Sequence, residues 1–364
     1  MAIVSPATVD LNNDTIRTHV RMVVWQHRYL AMIVIFYALT CMVTANYIGS
    51  KAVTSSVIEA QAFWLVLITA VYAVAWWKPE LLGRLNSGDM GNSGLPSQHL
   101  LHTLLVVLIL PMFFSTFSAF KVMIPAINPY AWDVEFAAWD AALHGGTQPW
   151  RLLQPILGYP MVTVGVDVVY AIWFVIVFGA LFWQSLSAKN PERRMRFLLS
   201  FVLSWIVIGT IAATCLSSAG PVYLAQLTGV ESDYGELLAY LRSVDEKYPV
   251  LVVQAQDMLW NTYLSGEANL GNGISAMPSM HVAAAVLTVF LLWDSGLTAR
   301  IATTLFASVI FLGSIHLAWH YALDGYAGAA LTAAIWKMSP YLTRRAFAGY
   351  GAELQTQPDG IASH

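Results

Sequence analysis

The stretch GSIHLAWHYALDGYAG places His320 and Asp324 four residues apart. On a helix that spacing stacks the two side chains one turn from each other. A carboxylate beneath an imidazole fixes its tautomer and stabilises its charged form, which suits a histidine nucleophile or base. A second histidine, His281, follows Pro278, Ser279 and Met280 at the head of the apolar run MHVAAAVLTVFLLW. Hydrocarbon cannot hydrogen-bond an imidazole, so a histidine at the mouth of a membrane helix calls for a partner. His316 stands four residues before His320, and the pair could ligate zinc. No thiolate or third ligand accompanies them, so no metal is expected. Asp167, in VGVDVVYAIW, is an intramembrane carboxylate that faces a bundle interior by default. It either touches a substrate hydroxyl or amine or pairs with a buried donor, and the sequence leaves both open.

The elements that must position these groups are membrane helices. Of 364 residues, 57% are hydrophobic and 11% charged, against about 25% charged in soluble domains. That excludes an ordinary soluble enzyme. Cys41 and Cys215 lie inside apolar runs and imply no disulfide framework. A net charge of −3 says little about partners, and no nucleic acid is expected among them. Eight apolar runs are candidate spans: Tyr29–Ile48, Ala60–Trp77, Leu100–Phe120, Met161–Trp183, Phe197–Ser217, Ile274–Trp293, Ile301–Ser314 and Trp319–Met338. A crossing takes about 20 residues, so the sixth and seventh are short or tilted. The first, behind a polar Arg-bearing segment, reads as a signal anchor. The expected architecture is all-α, a polytopic bundle of about eight transmembrane helices.

Crossing once per span sorts the 18 lysines and arginines unevenly. All but Lys51, Lys121, Arg151, Arg242 and Lys247 fall on one side, which the positive-inside rule makes cytoplasmic. Both termini are then cytoplasmic, and Lys121, His281, His320 and Asp324 lie on the extracytoplasmic side, periplasmic or luminal. Between spans three and four, NPYAWDVEFAAWDAALHGGTQPW reads as a Trp-rich amphipathic helix flat on the outer surface. Asp133 is its expected N-cap, Gly145-Gly146 its stop, and Trp132, Phe136, Trp139 and Leu143 its stripe. The loop over 219–273 is longer than connections usually are and carries two short helical patterns, a lid or a docking surface. The expected organisation is a cytoplasmic segment 1–28, three spans over 29–120, a catalytic core over 121–340 and a disordered cytoplasmic tail 341–364.

PSMH followed by HYALD resembles the type 2 phosphatidic acid phosphatase superfamily, marked by Pro-Ser-Gly-His and then His-x-x-x-Asp. The family's upstream element is Lys, six residues, Arg-Pro; here KVMIPAINP offers Lys121, six residues, Asn128-Pro129. The likeness covers roughly Lys121 to Ala330. It implies a six-helix phosphatase-like core and metal-independent catalysis without a cofactor. His320 would attack phosphorus to form a phosphohistidine, oriented by Asp324. His281 would protonate the departing oxygen and later take a proton from the incoming hydroxyl. Ser279, backbone amides near Met280, and Lys121 would hold the phosphoryl oxygens. A second Pro-Ser-x-His, at Pro96–His99, falls on the cytoplasmic side by parity. It reads as a helix-entry feature, with His99 and His102 at headgroup level.

Departures from the pattern narrow the resemblance. Asn128 and Ser314 stand where the family has arginines, and Met280 where it has glycine. Arginine forks suit phosphate monoesters and pyrophosphates, whose several charges are expensive to desolvate. A site poorer in cations suits a phosphodiester. The chain thus resembles the branch of inositol phosphorylceramide and sphingomyelin synthases, and the Tyr after the histidine in HYALD is similar to that branch as well. There a phospho-headgroup moves from a phospholipid donor to the hydroxyl of a lipid alcohol acceptor, ceramide or diacylglycerol. His316 or Asn128 could take over part of the arginines' work. Two other readings stay open. One is a lipid phosphate phosphatase acting on phosphatidate or a polyprenyl pyrophosphate. The other is a proton-coupled transporter relaying through His281, His320 and Asp324, although apart from Asp167 the spans offer little polar at depth.

Overall fold

The computed structural model describes residues 13–49, 51–78, 97–187, 189–230, 232–265 and 273–355. Residues 1–12, Arg84, Pro96, residues 266–272 and 356–364 lie outside the described residues, as do the side chains of Arg17, Lys51 and His99. Helix is the only regular structure among the described residues. A chain whose backbone must be satisfied within each lipid-embedded segment has no other open form.

The first group comprises α1 (Asn13–Ile48), α2 (Lys51–Trp77) and α3 (Ser97–Ile127). Two short helices follow, α4 (Asp133–Leu143) and α5 (Pro149–Leu157). Next come α6 (Pro160–Leu186) and α7 (Pro191–Cys215), the latter with a π-helical segment at Val207–Ala212. The long connection carries α8 (Leu224–Thr228), α9 (Tyr234–Asp245) and α10 (Leu251–Ser265). The chain closes with α11 (Met280–Leu292), α12 (Leu297–His316) and α13 (Ala322–Gln355). Proline stands at the first turn of α5, α6 and α7, where its missing N–H costs nothing.

Each expected span maps to a helix. Five stretches are long and apolar enough to cross a membrane: Val20–Ile48, Leu101–Ile127, Pro160–Leu186, Pro191–Cys215 and Leu297–His316. Glu59–Val74 of α2 and Met280–Leu292 are apolar but shorter. The eighth run falls on the first half of α13, where Asp324 and Lys337 dilute the hydropathy. That helix continues to Gln355, so residues 341–355, read as disordered tail, are helical. Ala, Leu and Arg favour helix there, and Arg28 of α1 donates to the carbonyls of Arg345 and Ala346.

One hydrophobic core runs from Leu30 to Ala322 and includes residues of α1, α3, α6, α7 and α11. Tyr37 of α1 and Thr210 of the π-helical segment share a 2.6 Å hydroxyl hydrogen bond. α3 packs on α1 and α2 and also supplies Phe114, Phe117 and Lys121 to the cavity described below. The start of α11 meets α13 at Gly328, where a Cβ would stand 2.5 Å from the carbonyl oxygen of Ser279. A side chain there would part the two helices that carry His281 and Asp324.

The short helix α4 corrects the expected pattern. Its N-cap is Trp132, and Asp133 is its first helical residue. Asp133, Phe136, Ala137 and Asp140 are its buried residues, whereas Trp139 and Leu143 are 50% and 64% exposed. The inward face thus bears two carboxylates, and the aromatic stripe divides between the two faces. Polar partners beneath the helix turn it this way.

Candidate active site

A cavity of about 510 Å³ lies between α3, α6, α7, α10 and α11 and reaches the turn before α13. Phe114, Phe117, Trp173, Phe174, Phe178 and Trp205 form much of its wall. Among the described residues that line it, Lys121 is the only lysine or arginine, accompanied by His281, His320 and Asp167. Leu251, Val252, Ala255, Met258 and Leu259 of α10 roof it, so the second helical pattern of the long loop lies over the site.

His320 sits in a tight reversal between α12 and α13. The carbonyl of Ser314 accepts from the amides of Trp319 (3.0 Å) and His320 (3.1 Å), and Ala318 takes a left-handed φ of 59°. His320 Nδ1 lies 3.1 Å from Asp324 Oδ2, and both side chains are buried. The amide of Tyr321 donates to the same oxygen at 3.1 Å. With Nδ1 turned to the carboxylate, Nε2 is the nitrogen left for chemistry in the cavity.

His281 opens α11, its ring centroid 6.1 Å from that of His320. Tyr170 stacks on its imidazole at 4.7 Å, Trp173 packs against it at 4.4 Å, and the indole N–H of Trp173 donates to the His281 carbonyl at 2.9 Å. Two rings of α6 therefore hold the orientation of His281. Ser279 is the N-cap of α11, its hydroxyl accepting from Val282 N at 3.3 Å. Its own amide donates to the Asp324 carbonyl at 2.9 Å, which ties the start of α11 to α13. Met280 lines the cavity.

The remaining expected site residues have other partners. Asp167 lines the cavity, but its oxygens accept from the amides of Leu251 (2.7 Å) and Val252 (3.0 Å) and so cap the N-terminus of α10. Its carboxylate thus has backbone donors on one side and the cavity on the other. Replacing Asp167 by alanine is expected to cost α10 about 0.5–2 kcal/mol, the worth of a helix cap. Faster amide exchange over residues 250–256 would register that loss. Asn128 donates from Nδ2 to the carbonyl of Thr214 at 2.8 Å and holds the end of α7. His316 Nε2 pairs with Thr163 Oγ1 at 2.9 Å. Neither Asn128 nor His316 is among the residues that line the cavity.

Gly220 marks a further constraint. Its φ is 92°, and a Cβ there would stand 2.6 Å from the carbonyl oxygen of Trp319, next to His320. Gly220→Ala is expected to destabilise the protein by roughly 1–3 kcal/mol through backbone strain, read as a lowered Tm in detergent.

A family model described as PAP2 superfamily matches residues 134–338, more than half of the 364-residue chain. No curated protein and no solved structure matches significantly. The match takes in His281, His320 and Asp324 and begins after Lys121.

Proposed function

The chain belongs to the PAP2 superfamily, and we propose that within it the chain moves a phospho-headgroup from a phospholipid to the hydroxyl of ceramide or diacylglycerol. Membership makes it a phosphatase or phosphotransferase of lipid phosphates, and its apolar helices make it an integral membrane protein. The finer reading rests on one observation: an aromatic cavity of about 510 Å³ with a single lysine or arginine in its described lining. One cation matches the one negative charge of a phosphodiester, while a monoester or pyrophosphate would bring charge that the site does not balance.

In this reading His320 Nε2 attacks phosphorus while the bond to the diacylglycerol oxygen breaks. The headgroup phosphate is left on the imidazole. Asp324 holds Nδ1–H and stabilises the ring as it becomes cationic. His281 gives its proton to the departing oxygen, then accepts one from the acceptor hydroxyl, whose oxygen displaces the histidine. Lys121 and the first amides of α11 supply countercharge to the phosphoryl oxygens. Asp167, Asn128, His316 and the Ser279 hydroxyl hold the frame. The bundle's other end carries Arg193 against the Leu291 carbonyl and Arg196 against the Trp336 carbonyl. With those cations cytoplasmic, as the positive-inside rule requires, the site faces outward and both termini inward.

The decisive assay supplies ceramide and diacylglycerol to purified protein in mixed phospholipid micelles, with products read by mass spectrometry. A new phospho-headgroup lipid supports the transferase. Free phosphate from phosphatidate or a polyprenyl pyrophosphate, without such a lipid, makes the protein a phosphatase. Neither product would return the transporter reading. A second expectation concerns His281. His281→Gln should slow transfer from a natural donor by about 10²–10⁴-fold, the usual worth of a general acid. With a nitrophenyl phosphodiester the first step should lose far less, because nitrophenolate departs without a proton. Equal losses with both donors would remove His281 from the acid role.

A further inference from the structure

Helix α4 lies outside the cavity, yet it turns two carboxylates inward. Asp133 and Asp140 are seven residues apart, two turns along one face, with exposures of 2% and 0%. A buried carboxylate is costly unless its oxygens are fully hydrogen-bonded. Burial pushes both carboxyls above their ordinary pKa, and their hydrogen bonds pull the other way. What matters is where those donors come from.

Asp133 accepts from the Ser218 hydroxyl (2.6 Å), the amides of Ala219 (2.9 Å) and Gly220 (2.8 Å), and the Tyr321 hydroxyl (3.3 Å). Asp140 accepts from the amides of Ala322 (2.9 Å) and Leu323 (3.1 Å). All six donors therefore come from two short segments. One is 218–220, whose Ala219 lines the cavity and whose Gly220 runs so near Trp319 that a Cβ would stand 2.6 Å from its carbonyl oxygen. The other is 321–323, the three residues between His320 and Asp324. A bond from Val222 N to the Ala318 carbonyl at 3.1 Å ties the chain just after the first segment to the turn just before the second.

We propose that Asp133 and Asp140 are positioning residues, a two-point clamp through which the short helix α4 holds the 318–324 turn so that His320 and Asp324 stay in register. Asp140 caps the first turn of α13, the turn that carries Asp324. Asp133 fixes the 218–220 loop and the hydroxyl of Tyr321, the residue that follows His320. The catalytic part of this inference rests on the proposed phosphohistidine chemistry; the mechanical part does not.

Asp140→Asn tests the clamp, since an amide of the same shape turns one acceptor oxygen into a donor facing an N–H. Full-length protein in nanodiscs would be followed by amide exchange over 318–326 and by steady-state transfer, scaled to the phosphoenzyme burst. Exchange in that segment is expected to quicken about tenfold, and kcat per active site to fall about 100-fold with KM little changed, as misplacement near the reacting groups does. Asp140→Glu, which keeps both acceptors, should recover part of each. Ser218→Ala, which removes one donor to Asp133 and leaves both carboxylates, should give a smaller loss in the same direction and stands in if Asp140→Asn does not fold. Unchanged protection over 318–326 would overturn the clamp. A lowered Tm with kcat per site intact would overturn the positioning role and leave α4 as mere support. If the wild type transfers no phosphate at all, the functional reading fails, while the exchange experiment still judges the clamp.

Discussion

His320→Ala is expected to reduce transfer by about 10⁶-fold, the loss seen when a nucleophile that works as part of a unit is removed. Among the described residues that line the cavity, no other side chain combines a free imidazole nitrogen with a carboxylate on the opposite ring edge. His281 packs against Tyr170 and Trp173 instead. Denaturing quench with a donor labelled in its headgroup phosphate should leave acid-labile, alkali-stable label on the wild type and none on His320→Ala. The label should carry the intact headgroup, because the bond broken is the one to diacylglycerol. Label that persists in the variant would move the nucleophile elsewhere, with His281 the first alternative. Turnover within tenfold of wild type would remove covalent catalysis at this residue altogether.

Asp324→Asn carries the second-largest effect, about 10⁴-fold in kcat, as expected when the group that sets a catalytic imidazole's tautomer becomes a neutral amide. Asp324 Oδ2 receives both His320 Nδ1 and the amide of Tyr321. Both bonds converge on one oxygen, so an asparagine oxygen in its place can still accept them and the fold is retained. Its amide group, however, cannot stabilise an imidazolium, and it invites the ring to turn its lone pair inward and its N–H towards the cavity. The loss should appear in kcat and in the rate of phosphoenzyme formation, with KM nearly unchanged, since the carboxylate is fully buried and lies behind the imidazole. A rise in KM at constant kcat would instead mark Asp324 as a substrate contact.

Both predictions concern residues that spacing alone picks out, and the reason is local. His320 and Asp324 are only four residues apart, so one local turn brings them together, although His320 lies in the reversal before α13 and not on the helix face that the spacing predicts. His281 was legible because an imidazole at the head of an apolar run is chemically out of place. The helices were legible because lipid leaves the backbone no alternative, although α13 runs past the expected start of the tail. Less legible were the partners. Asp167 turns out to cap α10, a helix more than 80 residues later in the chain. Tyr170 and Trp173 were visible as neighbours of Asp167, but not as the rings that flank His281. Asp133 stands at the helix start that its type predicts, yet its carboxylate meets the 218–220 loop and Tyr321 and does not cap its own helix.

These failures share one cause. The donors that meet Asp133, Asp140 and Asp167 are mostly backbone amides, and an amide is the same at Ala322 as at any other residue. Sequence names the carboxylate and cannot name the N–H it will meet, since that choice depends on which distant turn the packed helices deliver beneath it. Composition and side-chain spacing thus carry the membrane class, the helical architecture and the His–Asp pair. The packed bundle alone assigns the buried carboxylates to their amides and brings the two histidine rings to 6.1 Å across one cavity.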